Sequence, residues 1–486
     1  SFFFFFFSVY VFSLQSAVFF CFFFFVCVFV SRSVGQTMTQ HTTNTLTSKE
    51  STNGRSLLGR AWTGADDAGE LKIEMAWTRI TPELCEGICR TIVDRDADVP
   101  VRVVDLIDNQ LGPEQTQKIA SMLESSTVRD VLLRYNEIGK EGCDALANVV
   151  NVSTKLQLLD IRGNGLTAAC VRKLLKSISM STALTRLGLS ANKIGHEGAA
   201  LLFRALEKNA YLKSLDLSLN EIGPSGAESI AHLLALPASP LKTLQLYGNH
   251  LGVAGVQLIA NAVKGNKCLT DLTLGNNNAT DAAAEALAEM LKENSTLETL
   301  DLRSNTLTAT GVRILARDGL ANNMFLVSLS LSANPIGSVG ADEIAKTLIM
   351  HQGGALARLD LSSCELGPTG GMRIASLIAA TITLNEVNLS GNQLDNEAAV
   401  VLSRSIVNSI SISIVDLSAN EIGEWGASNL IDATQLNARI SSLLLHGNSI
   451  NRIVQKKIDT LLGERISRNR LQNEQASLLQ PEQLVR

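Results

Sequence analysis

One stretch of about 28 residues recurs along most of this chain, and few folds accept such repetition. Aligned on a single Asn, the pattern L-x-x-L-x-L-x-x-N-x-L/I places that residue at 109, 136, 164, 192, 220, 249, 277, 305, 334, 392, 420 and 448. Cys364 fills the same slot in "LARLDLSSCELG", which makes thirteen units. Successive steps are 27, 28, 28, 28, 29, 28, 28, 29, 30, 28, 28 and 28 residues. A phase held this long means stacked units rather than an ordinary globular core.

Each unit reads as two elements. The run V/L-x-x-L-x-L predicts a short strand whose apolar side chains point inward. Asn or Cys at the turn offers hydrogen bonds to backbone groups that the sheet no longer pairs. The second half is helical: "GAALLFRALEKN" places Leu201, Leu202, Ala205 and Leu206 on one face. Gly-x-x-Gly before the helix, as in Gly223/Gly226 or Gly423/Gly426, lets the chain turn and pack closely as it enters. No unit buries its own core, so stability comes from stacking on neighbours. A strand–helix unit is wider on its helix side. The expected architecture is therefore a curved α/β solenoid, with a parallel sheet on the concave face and helices on the convex face.

The array runs from 101 to 450, and its ends need caps. Residues 71–100 are the N-terminal cap. "TPELCEGICRTIVDRD" offers Thr81 as N-cap, Pro82 at the first helical position, and Leu84, Ile88 and Ile92 on one stripe. Residues 451–466 are a C-terminal capping helix. Ile453, Ile458, Leu461 and Leu462 are expected against the last strand, with Lys456, Lys457 and Arg465 outside. Residues 467–486 are expected to be a mobile tail. Residues 38–70, rich in Thr, Ser, Asn and Gly, are expected to be disordered. Residues 1–37 stand apart, since the first thirty hold 14 of the 16 Phe. Their length and apolarity suit a signal or membrane-anchor segment. The absence of a basic flank and the bias toward residues with T-rich codons suit a translated pyrimidine-rich leader ahead of Met38. Both readings stay open, and a membrane enters only if residues 2–30 are genuine.

Composition narrows the function classes. A net charge of -5 and a pI near 5.8 give no basic field for nucleic acid. The eight Cys, at 21, 27, 85, 89, 143, 170, 268 and 364, lack the paired spacing of a disulfide framework, as suits reduced thiols in a cytoplasmic protein. The six His show no ligand spacing. No GxSxG, P-loop, GxGxxG or zinc pattern appears. The expectation is no catalytic residue, no metal, no cofactor and no small-molecule substrate. Asn-x-Ser/Thr occurs at Asn151, Asn278 and Asn294, expected to carry no glycan.

The 28-residue unit with "LDLSxNxIGxxGAxxLAxxL" resembles the ribonuclease-inhibitor-type leucine-rich repeats over roughly Val101 to Ile450. That subfamily is shared by ribonuclease inhibitor, the activators of the Ran GTPase, NOD-like receptor sensor arrays, and axonemal and scaffold proteins. The resemblance implies a scaffold that grips a partner protein through its concave face and loop edges. It also admits an activator of a small GTPase, with Arg134 and Asn136 in "LLLRYNEIGKEGCDALANVV" as candidates. That family usually ends in a long acidic segment, and this chain ends in "ERISRNRLQNEQASLLQPEQLVR". A sensor array would need a nucleotide-binding domain ahead of the repeats, and the residues from Met38 to the first unit are too few for one. A ciliary or receptor-associated scaffold is a further form of the first reading.

Contact candidates lie where the exposed strand positions depart from consensus. One column carries six Asp: Asp105, Asp160, Asp216, Asp301, Asp360 and Asp416. It reads either as an acidic strip for a basic partner or as a solvated polar face. Two positions on, Arg134, Arg162, Tyr247, Arg303 and His446 interrupt a run of Ser and Gly. Arg134 and Arg162 fall on adjacent strands, with Tyr135 beside the first and Arg186 one strand further. Arg and Tyr are favoured interface anchors; local pairing with Asp130 and Asp160 is the competing reading. Trp425, bracketed by glycines in "IGEWGAS", is expected on a loop.

Overall fold

The computed structural model describes residues 62–65, 71–76, 79–93, 100–237, 239–351 and 354–454, and positions 456, 457, 460, 461 and 463 of a following helix. The chain divides into residues 1–56 and 57–486. The first unit and the tail 467–486 lie outside the described residues.

Strands follow one another across a single sheet in chain order. They are β1 (Trp62–Ala65), β2 (Leu71–Glu74), β3 (Val101–Asp105), β4 (Asp130–Leu132), β5 (Leu158–Asp160), β6 (Arg186–Gly188), β7 (Ser214–Asp216), β8 (Thr243–Gln245), β9 (Asp271–Thr273), β10 (Thr299–Asp301), β11 (Ser328–Ser330), β12 (Arg358–Asp360), β13 (Glu386–Asn388), β14 (Ile414–Asp416) and β15 (Ser442–Leu444). β3 to β15 are the thirteen expected strands. Their central apolar residues stay in register, as in Leu159 opposite Leu187 and Leu187 opposite Leu215. From β2 onward every pairing is parallel, and each crossover between units runs through helix. The inward residues form one continuous core, in which Leu187, Leu215, Leu217 and Leu244 are buried together with the helix residues Leu202, Phe203 and Leu206.

Asparagine side chains tie unit to unit. The carbonyl of Asn192 accepts the N–H groups of Asn164 and Leu166 in the preceding unit at 3.0 and 2.9 Å. Its amide donates to the carbonyls of Ile161 and Leu189 at 3.2 and 2.8 Å. One side chain thus satisfies four backbone groups where the strands end. Cys364 keeps only part of this role. Its thiol donates to the Leu331 carbonyl at 3.2 Å. It offers no carbonyl oxygen, and the N–H of Ile336 turns to its own neighbour, the carbonyl of Asn334, at 2.8 Å. Burial pushes the Cys364 thiol pKa up to about 12.

A second asparagine series follows the helices at Asn209, Asn266, Asn294, Asn323 and Asn437. Asn209 donates to Ile178 and Ser181 carbonyls at 2.7 and 2.9 Å and accepts the N–H groups of Tyr211 and Leu212, both at 2.8 Å. Asn294 does the same work, its amide donating to Val263 and Asn266 carbonyls at 2.7 and 3.0 Å. The nitrogen a glycan would occupy is therefore buried in the fold.

Three features depart from the sequence reading. Trp62–Ala65, inside the stretch expected to be disordered, is a strand, and it pairs antiparallel with β2. β2 itself adds a parallel strand ahead of the first repeat, with Ile73 and Met75 buried like repeat leucines. At the other end Ile453 is 80% exposed, and Val454 and Leu461 pack on the core instead. Seven residues separate those two, so they share a helical face that Ile453 does not. Ile458, Leu462 and Arg465 lie outside the described residues. The N-terminal helix Pro82–Val93 starts as its sequence indicates: the N–H of Leu84 donates to the Thr81 hydroxyl at 3.3 Å, and Ile88 and Ile92 are buried.

Candidate functional site

The Asp column has a local structural use. In Asp216, Asp301, Asp360 and Asp416 one carboxylate oxygen accepts the N–H two residues on, from Ser218, Arg303, Ser362 and Ser418, at 3.0, 2.9, 3.0 and 2.8 Å. Asn388 makes the same bond to Ser390 at 3.0 Å. The bond closes the turn that leaves each strand, which explains why Asp or Asn recurs there. One oxygen of each of these four carboxylates is thus tied into the backbone. Asp360 also accepts the hydroxyls of Ser330 and Ser362. Asp105 sits beside Lys72 of β2 at 3.5 Å, and burial raises its pKa despite that neighbour and Arg134.

The candidate arginines gather around one buried acid. Asp160, its side chain 4% exposed, meets the Nε of Arg162 at 2.9 Å and the Nε of Arg134 at 3.2 Å. Arg162 reaches on to Asp216 at 3.7 Å. Gly188, next in the column, makes the room: a Cβ there would lie 2.6 Å from the Asp160 carboxylate. Arg186 pairs with Asp130 at 3.1 Å while half its side chain stays exposed. Tyr135 adopts a left-handed backbone at φ 54° and lays its ring over Gly163, where a Cβ would collide with the ring. Arg134, Tyr135, Arg162, Arg186 and Asp216 therefore form one patch across β4 to β7, and the local pairing weighed from the sequence is present throughout it. Asn136 is not part of this surface. Its side chain is committed to the backbone of Asn109, Leu111, Leu106 and Arg134.

The remaining candidates lie apart. Tyr247 is 6% exposed, so it does not offer the contact surface expected of it. The guanidinium of Arg303 sits 5.0 Å from its ring centroid, and Gly275 lies beneath both. Arg303 also meets Asp301 at 3.2 Å. Trp425 is not on a loop: it occupies the first turn of the helix Glu424–Leu436, and it is 59% exposed. The Gly-x-x-Gly that marked it as loop is the start of that helix, as in its sister units. Asp416 lies on the preceding strand.

Two things escaped the sequence reading. One is the second asparagine series, whose Asn-x-x-Leu spacing was visible but overshadowed by the stronger Leu pattern. The other is a group of lysines just before the strands, in "LKSL" and "LKTL", which become neighbours only once the units stack. Among the described residues no group of three His, Cys, Asp or Glu is placed to hold a metal ion. No helix among them is long and apolar enough to cross a membrane.

A parallel sheet built one strand per unit, with an asparagine ladder joining the units, defines a leucine-rich-repeat solenoid. The Leucine Rich repeat family matches residues 124–147, 208–231, 293–316, 322–345, 356–375 and 382–403. Ribonuclease inhibitor from Sus scrofa is 28% identical over 338 residues, 69% of this chain and 61% of that protein. Ribonuclease inhibitor from Mus musculus is 27% identical over 174 residues, 36% of this chain and 38% of that one. Tonsoku-like protein from Danio rerio is 32% identical over 136 residues, 27% of this chain and 9% of that protein. The matches thus span less than two thirds of these relatives' own length. Among solved structures, that of a yeast Rad7 and Elc1 complex aligns with a TM-score of 0.44 at 15% identity, covering 70% of this chain and 81% of that one. The fold is a leucine-rich-repeat solenoid, and its repeats are similar to those of the ribonuclease inhibitors.

Proposed function

We propose that the protein is a non-catalytic scaffold that binds a partner protein through its concave strand face and loop edges. The observation that carries this reading is the patch of Arg134, Tyr135, Arg162 and Arg186. Arg134 and Arg162 break a Ser/Gly consensus, and these two and Arg186 are held in place by Asp130, Asp160 and Asp216. Side chains ordered before binding lose less freedom on association, which favours a specific contact. Solenoids use extended concave surfaces of this kind. The similarity to ribonuclease inhibitors, proteins named for inhibiting an enzyme, supports the same reading. No cofactor enters it, and the cytoplasm is the compartment that its thiols suit.

The test is affinity capture from a cell extract with the intact chain, against Arg186→Glu and Trp425→Ala variants of equal folded content. These two residues are chosen because half or more of each side chain is exposed, whereas Arg134 and Arg162 also hold a buried acid. A partner retained by the parent and lost by either variant supports the scaffold reading and locates the contact. A small GTPase whose hydrolysis rate rises with the parent, and not with Arg186→Glu, would replace it with the activator reading.

A further inference from the structure

A cleft of about 510 Å³ opens on the edge where the helices hand over to strands β7 to β11. Three lysines from successive units line it. Lys213 and Lys242 stand immediately before β7 and β8, and Lys267 lies in the next corner. Neighbouring parallel strands are about 4.8 Å apart, so the first two side chains leave the backbone side by side. Lys213 donates to the Ala210 carbonyl at 2.8 Å and Lys267 to the Ser295 hydroxyl at 3.3 Å. Lys264, one helical turn back, is held by Glu289 and Glu293. The three cleft lysines have no such carboxylate within ion-pair reach among the described residues. Glu298 is the single acid in the lining, which leaves the cleft two positive charges in excess in a chain whose net charge is -5.

The floor is polar and one of its groups is unsatisfied. Ser239 is 2% exposed, and its hydroxyl has no hydrogen-bond partner among the described residues. In other corners Ser153, Ser181 and Ser409, each three residues before a buried Leu or Ile, accept the N–H of Leu156, Leu184 and Ile412 at 3.1, 3.3 and 3.2 Å, whereas Ser239 stands two residues before Leu241. Pro237 and Pro240 flank it in this corner. The far end is apolar, with Phe325 48% exposed and Val327 beside it.

We propose that this cleft docks a phosphorylated serine or threonine on an extended partner peptide. The phosphate is held by Lys213, Lys242 and Lys267, and the residue after it packs on Phe325. A phosphate ester carries about -1.5 to -2 at neutral pH and three accepting oxygens, which match the excess charge and the donors. A single carboxylate supplies half that charge. The apolar wall distinguishes a peptide from a free ion, for which it would have no use. The proposal rests on the scaffold reading and names one kind of partner for it. The two fail separately, because partner capture through Arg186 or Trp425 needs none of these lysines.

Fluorescence anisotropy of the full chain tests it, with labelled Gly-Ala-phosphoserine-Phe-Ala-Gly and its serine and aspartate counterparts as probes. The phosphorylated probe is expected to bind at least about tenfold more tightly than either counterpart. Lys213→Gln/Lys242→Gln should lose that margin with an unchanged thermal midpoint, while Lys213→Arg/Lys242→Arg keeps most of it. Equal binding of the aspartate probe overturns the proposal in favour of a site for plain acidic peptides. An equal loss in Lys173→Gln/Lys176→Gln, on an exposed helix face elsewhere, overturns it in favour of diffuse attraction.

Discussion

The Nε of Arg162 lies 2.9 Å from one oxygen of Asp160, and the Nε of Arg134 lies 3.2 Å from the other. The acid is buried, and the two guanidiniums keep roughly a third of their surface in solvent. Removing a partner from a buried charge is costlier than removing one from an exposed charge. Arg134→Gln/Arg162→Gln is therefore expected to destabilise β4 to β6 by about 2 kcal/mol, discounted for that exposure. Adding Asp160→Asn should recover most of the loss. Hydrogen exchange at these strands measures both. A double variant as protected as the parent would show that the carboxylate does not need its arginines.

Cys364 is the one ladder position without an amide. Cys364→Asn supplies the side-chain oxygen with which the ladder elsewhere accepts two N–H groups of the preceding unit, in a setting where the neighbouring Asn392 already shows the geometry. Stabilisation of about 1 kcal/mol is expected, the usual net worth of a buried hydrogen bond. The same burial that lifts the Cys364 thiol to about 12 predicts that it resists iodoacetamide until the array unfolds. Chemical denaturation of the variant, and mass spectrometry of the alkylated parent, check the two statements.

These two positions show what a sequence can disclose here. The repeat period and the Leu pattern disclosed the thirteen repeat strands, their parallel order and the inward residues, because one unit cannot bury its leucines alone. The period says nothing of side chains that meet only across units. Asp160 and its arginines are 26 and 2 residues apart in the chain, and their shared pairing needs the room that Gly188 leaves on a third strand. Tyr247 looked like an exposed contact because its column is outward, but a glycine in the next unit let the ring lie down and bury. β2 was missed for the opposite reason: it lacks the Asn and Gly punctuation that marked its sisters.

Burial raises the pKa of Asp301, with the Arg303 N–H and guanidinium opposing it. A carboxyl whose folded pKa exceeds its unfolded value binds more protons when folded. Stability then falls as pH rises from the ordinary Asp range, near about 3.9, through the raised value. Asp301→Asn removes that fall and keeps the turn, since Asn388 closes the same turn with its amide oxygen at 3.0 Å. The variant is expected to match or exceed the parent at neutral pH. It should also show a flatter loss of stability with rising pH through that window. Thermal midpoints measured across the acid range give the comparison, and a steeper fall in the variant would contradict the sign.

Leu217 is fully buried just beyond β7, and its carbonyl accepts the amides of Asn220 and Asn249 at 3.0 and 2.8 Å. Leu217→Asp places a charge in the core beside two ladder bonds. In a stack where each unit touches its neighbours, damage should spread outward from this point rather than dissolve the array at once. Hydrogen exchange is expected to rise first in β6 to β8 and last at β3 and β15. Uniform loss of protection along the chain would mean that the array unfolds as one body.

Trp425 separates binding from folding more cleanly than any arginine in the patch. Its ring projects from the first turn of a helix with 59% of its surface exposed, so replacing it removes little packing. Surface substitutions of this kind usually change stability by less than about 0.5 kcal/mol. Exposed tryptophans, by contrast, are among the residues whose loss most weakens a protein interface. Trp425→Ala is therefore expected to leave the thermal midpoint unchanged. A partner that seats on this helix start should dissociate at least about tenfold faster from the variant, read by surface plasmon resonance. A lowered midpoint would instead mean that the indole packs on the neighbouring unit and belongs to the fold.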